Sequence, residues 1–174
     1  MRKKKFPTRV RFFIADDVRM DGAKPMLIGF FPDDLVLVPM DAKDPEPSHE
    51  SKIGLQGLTI LVSFIDCHGH FEVRTSLHEP GGAAIIEKQE VAGGFGTATA
   101  PEKANINFVA KFMPFLIPSF GKYRFVISLD KKEYPYEFNV TRQEATPGSP
   151  RPVSLVTLQP AKKAKPKSPS RKKI

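Results

Sequence analysis

YRFVISLDKKEYPYEFNV, residues 123–140, decides the fold class of this chain. Tyr123, Phe125, Ile127 and Leu129 alternate with Arg124, Val126 and Ser128, so one face of an extended segment is apolar. Asp130-Lys131-Lys132 supplies a turn, and Tyr134, Tyr136, Phe138 and Val140 share one face of the returning segment. Two such runs with so short a connection form a β-hairpin whose apolar faces meet one core.

The same period of two recurs upstream. Asn105 to Phe112 sets Ile106, Phe108, Ala110 and Phe112 on one side, and a proline-broken connection, MPFLIPSFG at 113–121, follows it. Phe71, Val73, Thr75 and Leu77 alternate with Glu72, Arg74 and Ser76, while Leu58 to Ile65 is almost continuously apolar, as a central strand requires. Asp66 to His70 is expected to join these two runs as a tight hairpin. Near the start, Thr8 to Val18 carries Val10, Phe12 and Ile14 in alternation, and Met26 to Phe31 is a second apolar run. Asp21-Gly22 lies between them, a strong hairpin signal because both residues tolerate positive φ. Pro32-Asp33-Asp34 makes the next turn, and Leu35 to Val38 is a short strand ended by Pro39, which suits a sheet edge. Residues 40–52, with four acids and two prolines, read as an exposed acidic loop. Residues 83–92, between Gly81-Gly82 and Gly93-Gly94-Phe95-Gly96, read as a strand, with one to two helical turns left open as the alternative.

Composition agrees with these runs. Fourteen Phe and three Tyr provide aromatic core volume, and 17 Pro with 12 Gly imply many turns and few long helices. The expected fold is therefore all-β: a single antiparallel β-sandwich of about seven to nine strands, Ig-like or C2-like, over residues 8–143. A basic arm, residues 1–7, precedes it, and a Pro/Lys-rich, disordered basic C-terminal tail, residues 144–174, follows it. Residues 146–174 contain six prolines and no acid, and Val153 to Leu158 (VSLVTL) is the one β-prone stretch there, able to pair with a free sheet edge.

Charge is unevenly placed. Arg2, Lys3, Lys4 and Lys5 at the start, and Lys162, Lys163, Lys165, Lys167, Arg171, Lys172 and Lys173 at the end, are accompanied by no acid. These eleven cations leave residues 6–160 with 16 basic and 19 acidic side chains, a net charge of −3, although the whole chain is +8. A polyanion partner, nucleic acid or another, is thus expected to be held by the two ends around a weakly acidic body. Ser168 and Ser170 sit among the cations, where phosphorylation would weaken that binding.

Cys67 is the only cysteine, which excludes an intrachain disulfide and points to a cytoplasmic setting. The apolar stretch after the basic start is far too short for a secretory signal, and no run is long enough to span a bilayer as a helix. Asp66-Cys67-His68-Gly69-His70 holds metal-ligating side chains, but the pentapeptide supplies what a turn needs, and the remaining histidines, His49 and His78, are scattered. Asp16-Asp17 and Asp33-Asp34 flank the first strands and would bind calcium if they converged, whereas pairing of Asp17 with Arg19 or Arg11 would make them structural. Gly93-Gly94-Phe95-Gly96 lacks the following helix of a phosphate loop. Lys122-Tyr123-Arg124-Phe125 superficially resembles a base-stacking platform, but its aromatics belong to the core face. No catalytic constellation and no cofactor or metal site is expected.

ADDVR at 15–19, LIGFF at 27–31, GKYRF at 121–125 and SLD at 128–130, in that order, resemble a family of small uncharacterised bacterial β-sandwich proteins over roughly residues 8–142. The resemblance implies the fold and a bacterial or phage origin, and it carries no activity and no catalytic residue. A non-enzymatic binding or scaffold module tethered by its tail is the expected function. The alternatives are a phage- or secretion-related assembly protein joining partners through sheet edges, and a metal-dependent membrane-binding module.

Overall fold

The computed structural model of the protein describes residues 4–21, 24–41, 43–85 and 95–144, the side chains of 95–104 excepted. The turn residue Gly22, most of the 83–92 segment, Gly93-Gly94 and the whole of 145–174, including Val153 to Leu158, lie outside the described residues. Within them the chain is all-β, with no α-helix. The strands are β1 (Arg9–Asp21), β2 (Lys24–Phe30), β3 (Leu35–Met40), β4 (Ile53–Leu55), β5 (Leu58–His78), β6 (Phe95–Phe112), β7 (Phe115–Ile117), β8 (Gly121–Leu129) and β9 (Lys132–Glu144).

Seven strands form one sheet in the order β2-β1-β5-β8-β9-β3, with β6 paired to β5, and β4-β7 form a small second sheet. The expected hairpins at both ends are present. β1 and β2 are antiparallel with Asp21 opposite Lys24, and β8 and β9 are antiparallel with Leu129 opposite Lys132.

The hairpin expected at Asp66 to His70 does not exist. Residues 58–78 are one strand of 21 residues, and the pentapeptide is an irregularity inside it. Between Phe64↔Ile106 and Cys67↔Ala104, β5 advances three residues while β6 advances two, which defines a β-bulge. Asp66 accommodates it with φ 55, a left-handed conformation that Asp tolerates better than most residues. The inserted residue changes the phase. Upstream, the even positions Leu58, Ile60, Val62 and Phe64 are buried in the main core; downstream, the odd positions Cys67, Phe71, Val73 and Leu77 are. Without the extra residue the second half of the strand would turn its apolar side to solvent.

β6 follows one edge of β5 through both halves, so the other edge is free to take two partners in succession. β1 pairs there with Thr59 to Ile65, and β8 pairs with Val73 to His78. The sheet then curls back on itself. Phe12 of β1 stacks on Tyr136 of β9 at 4.7 Å between ring centroids, although β5 and β8 lie between them in the sheet order. One core results, with Tyr123, Phe125, Phe138, Phe112 and Phe115 in contact across it. Burial raises the Tyr123 hydroxyl pKa, and that hydroxyl donates to the Ser119 carbonyl at 2.7 Å.

The purely antiparallel expectation needs one correction: β3 runs parallel to β9, from Leu35↔Asn139 to Met40↔Glu144. Residues Pro32–Asp34 form a single 3-10 turn that carries the chain from β2, at one edge of the sheet, to the opposite edge. Alternation in β3 fixes which residues face inward, here Val36, Val38 and Met40, but it contains nothing about the direction of the partner strand. The strand also extends through Pro39, which the edge position permits.

Two outcomes test this account of β5. Asp66→Gly keeps the residue count and the positive φ, and it should unfold cooperatively within about 1 kcal/mol of the parent. Deleting Asp66 should abolish cooperative thermal unfolding; a sharp transition within a few degrees of the parent would contradict the phase reset. Phe125→Ala should cost about 3–5 kcal/mol in urea unfolding.

Candidate polyanion interface

The bulge in β5 is also where the N-terminal arm docks. Phe6 packs against Phe71 at 5.3 Å, and Pro7 is buried. Lys5 forms an antiparallel bridge with His68, its amide donating to the His68 carbonyl at 2.8 Å and its carbonyl accepting from the His68 amide at 2.9 Å. Gly69, with φ 116, permits this approach: a Cβ there would meet Lys4 Cγ at 3.1 Å and Lys4 Cα at 3.3 Å.

Of the eleven cations expected to bind a polyanion, Lys4 and Lys5 fall within the described residues. Both are already paired. Lys4 Nζ lies 2.8 Å from Asp130 Oδ2 and sits over the Phe71 ring, and Lys5 Nζ lies 2.6 Å from Asp66 Oδ2. These pairs are exposed and individually weak, so phosphate can compete for them. Arg2, Lys3 and the seven tail cations, Lys162, Lys163, Lys165, Lys167, Arg171, Lys172 and Lys173, lie outside the described residues.

Beyond the arm, β1 carries two further cations that counting charge by segment overlooks. Val10, Phe12 and Ile14 face the core, so Arg9, Arg11 and Phe13 face outward. The register sets Arg9 opposite Ile65, Arg11 opposite Ser63 and Phe13 opposite Leu61, and β6 extends the last two rows with Asn107 and Val109. Arg9 and Arg11 are exposed and pair with no carboxylate among the described residues. The alternation in TRVRFF, residues 8–13, is the signal that places them side by side.

The two acids at the ends of this face are occupied. Asp66 holds Lys5, and Asp17 holds Lys111 at 2.6 Å and Arg19 at 3.5 Å. Ser63 Oγ donates to Asn107 Oδ1 at 2.7 Å, which leaves the Asn107 amide hydrogens directed away from that contact. Next to the polar rows, Ala15, Val18 and Leu61 form a small apolar cluster with Phe13, Leu27 and Val109 packed against it. The outward side of β1, β5 and β6 thus passes from exposed Arg9 and Arg11 and the half-buried Asn107 to a buried apolar cluster beneath Phe13.

The other candidate residues are dispersed. Cys67 is wholly buried, and burial raises its thiol pKa, whereas His70 on the same bulge is exposed. Asp34 accepts a hydrogen bond from the Tyr136 hydroxyl, and Asp17 is committed to its cations. No three His, Cys, Asp or Glu side chains come together as a metal site among the described residues. Of the expected exposed loop, residues 40–52, Met40 is instead the buried last residue of β3. The acidic remainder is tied to the body by Arg142, which pairs with Glu46 at 3.1 Å and donates to the Asp41 carbonyl, and by His49 against Glu79 at 3.6 Å.

An open depression of about 440 Å³ lies on the solvent side of β5, β8 and β9, bordered by Ser76, His78, Lys122, Arg124, Glu133 and Glu137. Ser76 Oγ lies 3.0 Å from His78 Nε2, and His78 Nδ1 lies 3.2 Å from the Gly82 carbonyl, to which it can only donate. Among the described residues this pair has no oxyanion site beside it. The Gly82 amide already donates to the Glu79 carbonyl, and Glu79, Glu133 and Glu137 would repel a developing negative charge.

No protein-family model matches the chain, and a search of curated proteins finds no relative. No helix among the described residues is long and apolar enough to cross a membrane.

The docked arm has a pH signature. The Lys4 ammonium holds the Asp130 carboxyl below its ordinary pKa, and Lys111 does the same for Asp17. A depressed carboxylate pKa contributes stability that is present above the unfolded value and lost as pH falls through the folded one. Melting temperature should therefore drop below about pH 4, and Asp130→Asn should show a shallower acid limb than the parent. Superimposable acid limbs would contradict the Lys4–Asp130 contact.

Proposed function

We propose that this protein is a non-enzymatic binding or scaffold module whose positive ends tether it to nucleic acid or another polyanion. Its body is read as an Ig-like or C2-like β-sandwich of the small bacterial family that its motifs resemble. A cytoplasmic setting belongs to the same reading and is supported by the sparing use of cysteine. The observation that carries the proposal is the charge partition: seven cations and no acid in residues 161–174, against a net −3 over residues 6–160. The ion pairs of the body support it, since Arg74, Lys111, Lys122 and Arg142 each meet a carboxylate and leave little of their charge to a partner.

Sequence-independent phosphate contacts release counterions and make affinity fall steeply with salt. Seven engaged cations set a limiting slope of about −6 in log K against log salt, and fewer contacts give a smaller slope. In a mobility-shift series on duplex DNA, deleting residues 161–174 should remove most of the salt-sensitive binding. Unchanged binding would end the tether reading.

A second reading, an assembly protein that joins partners through a sheet edge, rests on β2. It is an edge strand, and Met26, Ile28 and Phe30 along it are exposed, as is Met20 on its partner. Light scattering separates the readings: an oligomer that persists when residues 146–174 are removed and dissociates in Phe30→Lys, with no DNA binding by the full chain, favours assembly.

A further inference from the structure

We infer that the outward face of β1, β5 and β6 is a binding surface for single-stranded nucleic acid, centred on Arg9, Arg11, Phe13 and Asn107; this rests on the polyanion reading above and names a second, selective site within it. Charge complementarity is the first argument. Arg9 and Arg11 are two residues apart on one strand, so their side chains leave the sheet about 6.8 Å apart, a spacing that successive phosphates of an extended strand can follow. Neither meets a carboxylate among the described residues, while Asp66 and Asp17 at the two ends are neutralised by Lys5 and Lys111. The cations of this surface are therefore available to a ligand, unlike Arg74, Lys122 and Arg142 elsewhere on the body.

The second argument is what lies beside the arginines. Asn107, with its Oδ1 fixed by Ser63, presents amide hydrogens, and Asn105, whose Oδ1 accepts from the Asp66 amide at 3.3 Å, lies one row further on. Phe13, half-buried over the buried residues Ala15, Val18 and Leu61, supplies an aromatic ring in the next row. Phosphate binding alone needs neither amides nor an aromatic ring; splayed bases use both, by edge hydrogen bonds and by stacking. Among the described residues no helix projects from this sheet face to enter a duplex groove, whereas unstacked bases reach its amides and ring directly. An anionic membrane would be satisfied by the charge but gives no role to the asparagines.

The test uses the full chain, fluorescence anisotropy, a 20-nucleotide single strand and its duplex. Arg9 and Arg11 are exposed, so Arg9→Gln/Arg11→Gln keeps the fold, which circular dichroism verifies. The double variant should lose about tenfold in affinity for the single strand and less than twofold for the duplex. Phe13→Leu, which keeps apolar volume but removes the ring, should weaken single-strand binding several-fold without changing the duplex. Equal losses on both ligands, or no loss on either, would overturn the selective face. So would binding of the double-variant-sensitive kind to anionic phosphatidylserine vesicles with none to the single strand. Deleting residues 161–174 reports separately on the tether: if that deletion changes neither ligand while the arginine variant still weakens the single strand, the tether fails and the face stands.

Discussion

The bulge at Asp66 is the constraint on which the rest of the structure depends. A strand of 21 residues cannot keep one set of side chains in a single core while the sheet around it curls, unless its phase is adjusted at the bend. One extra residue on β5 makes that adjustment, passing the core positions from even to odd numbers between Phe64 and Cys67. β1 and β8 can then share one edge of β5, and their aromatic partners meet across the core. The arm closes the same place from outside, with Lys5 bridging His68 and Phe6 lying on Phe71.

The chemistry of the surface follows from this arrangement. Because the core takes the even positions of β1 and of upstream β5, the odd positions of both strands are directed outward together, and the register aligns them with Asn107 and Val109 of β6. Two arginines consequently stand in a row with amides and an aromatic ring as neighbours. Elsewhere on the described body, Arg74, Lys111, Lys122 and Arg142 each lie within ion-pair distance of a carboxylate. On the proposed reading, the two arginines add to the positive charge of the chain ends on one sheet face.

The parts legible in the sequence are those governed by local periodicity. Alternation identified Tyr123 to Leu129, Tyr134 to Val140 and Ile106 to Phe112 as core-facing runs, and each is a strand with the expected face inward. Two features were not legible. An Asp with positive φ close to a glycine serves a bulge as well as a tight turn, so Asp66 to Gly69 was compatible with either. What separates them is whether the flanking runs pair with each other or with third strands, which is a tertiary property. The parallel pairing of β3 with β9 is hidden for the same reason. Arg9 and Arg11 were readable from their alternation with Val10 and Phe12; segment totals concealed them because the body as a whole is acidic.

Clustering of polyanion contacts on one sheet face and the basic ends is the central claim, and residue-resolved NMR titration with a short single-stranded oligonucleotide tests it most directly. Amide shifts are predicted for residues 9–13, for Ser63, for Asn105 and Asn107, and for residues 161–174, with the acidic loop and the His78–Arg124 depression unchanged. Shifts confined to that depression or to the exposed edge of β2, with residues 9–13 silent, would contradict the account.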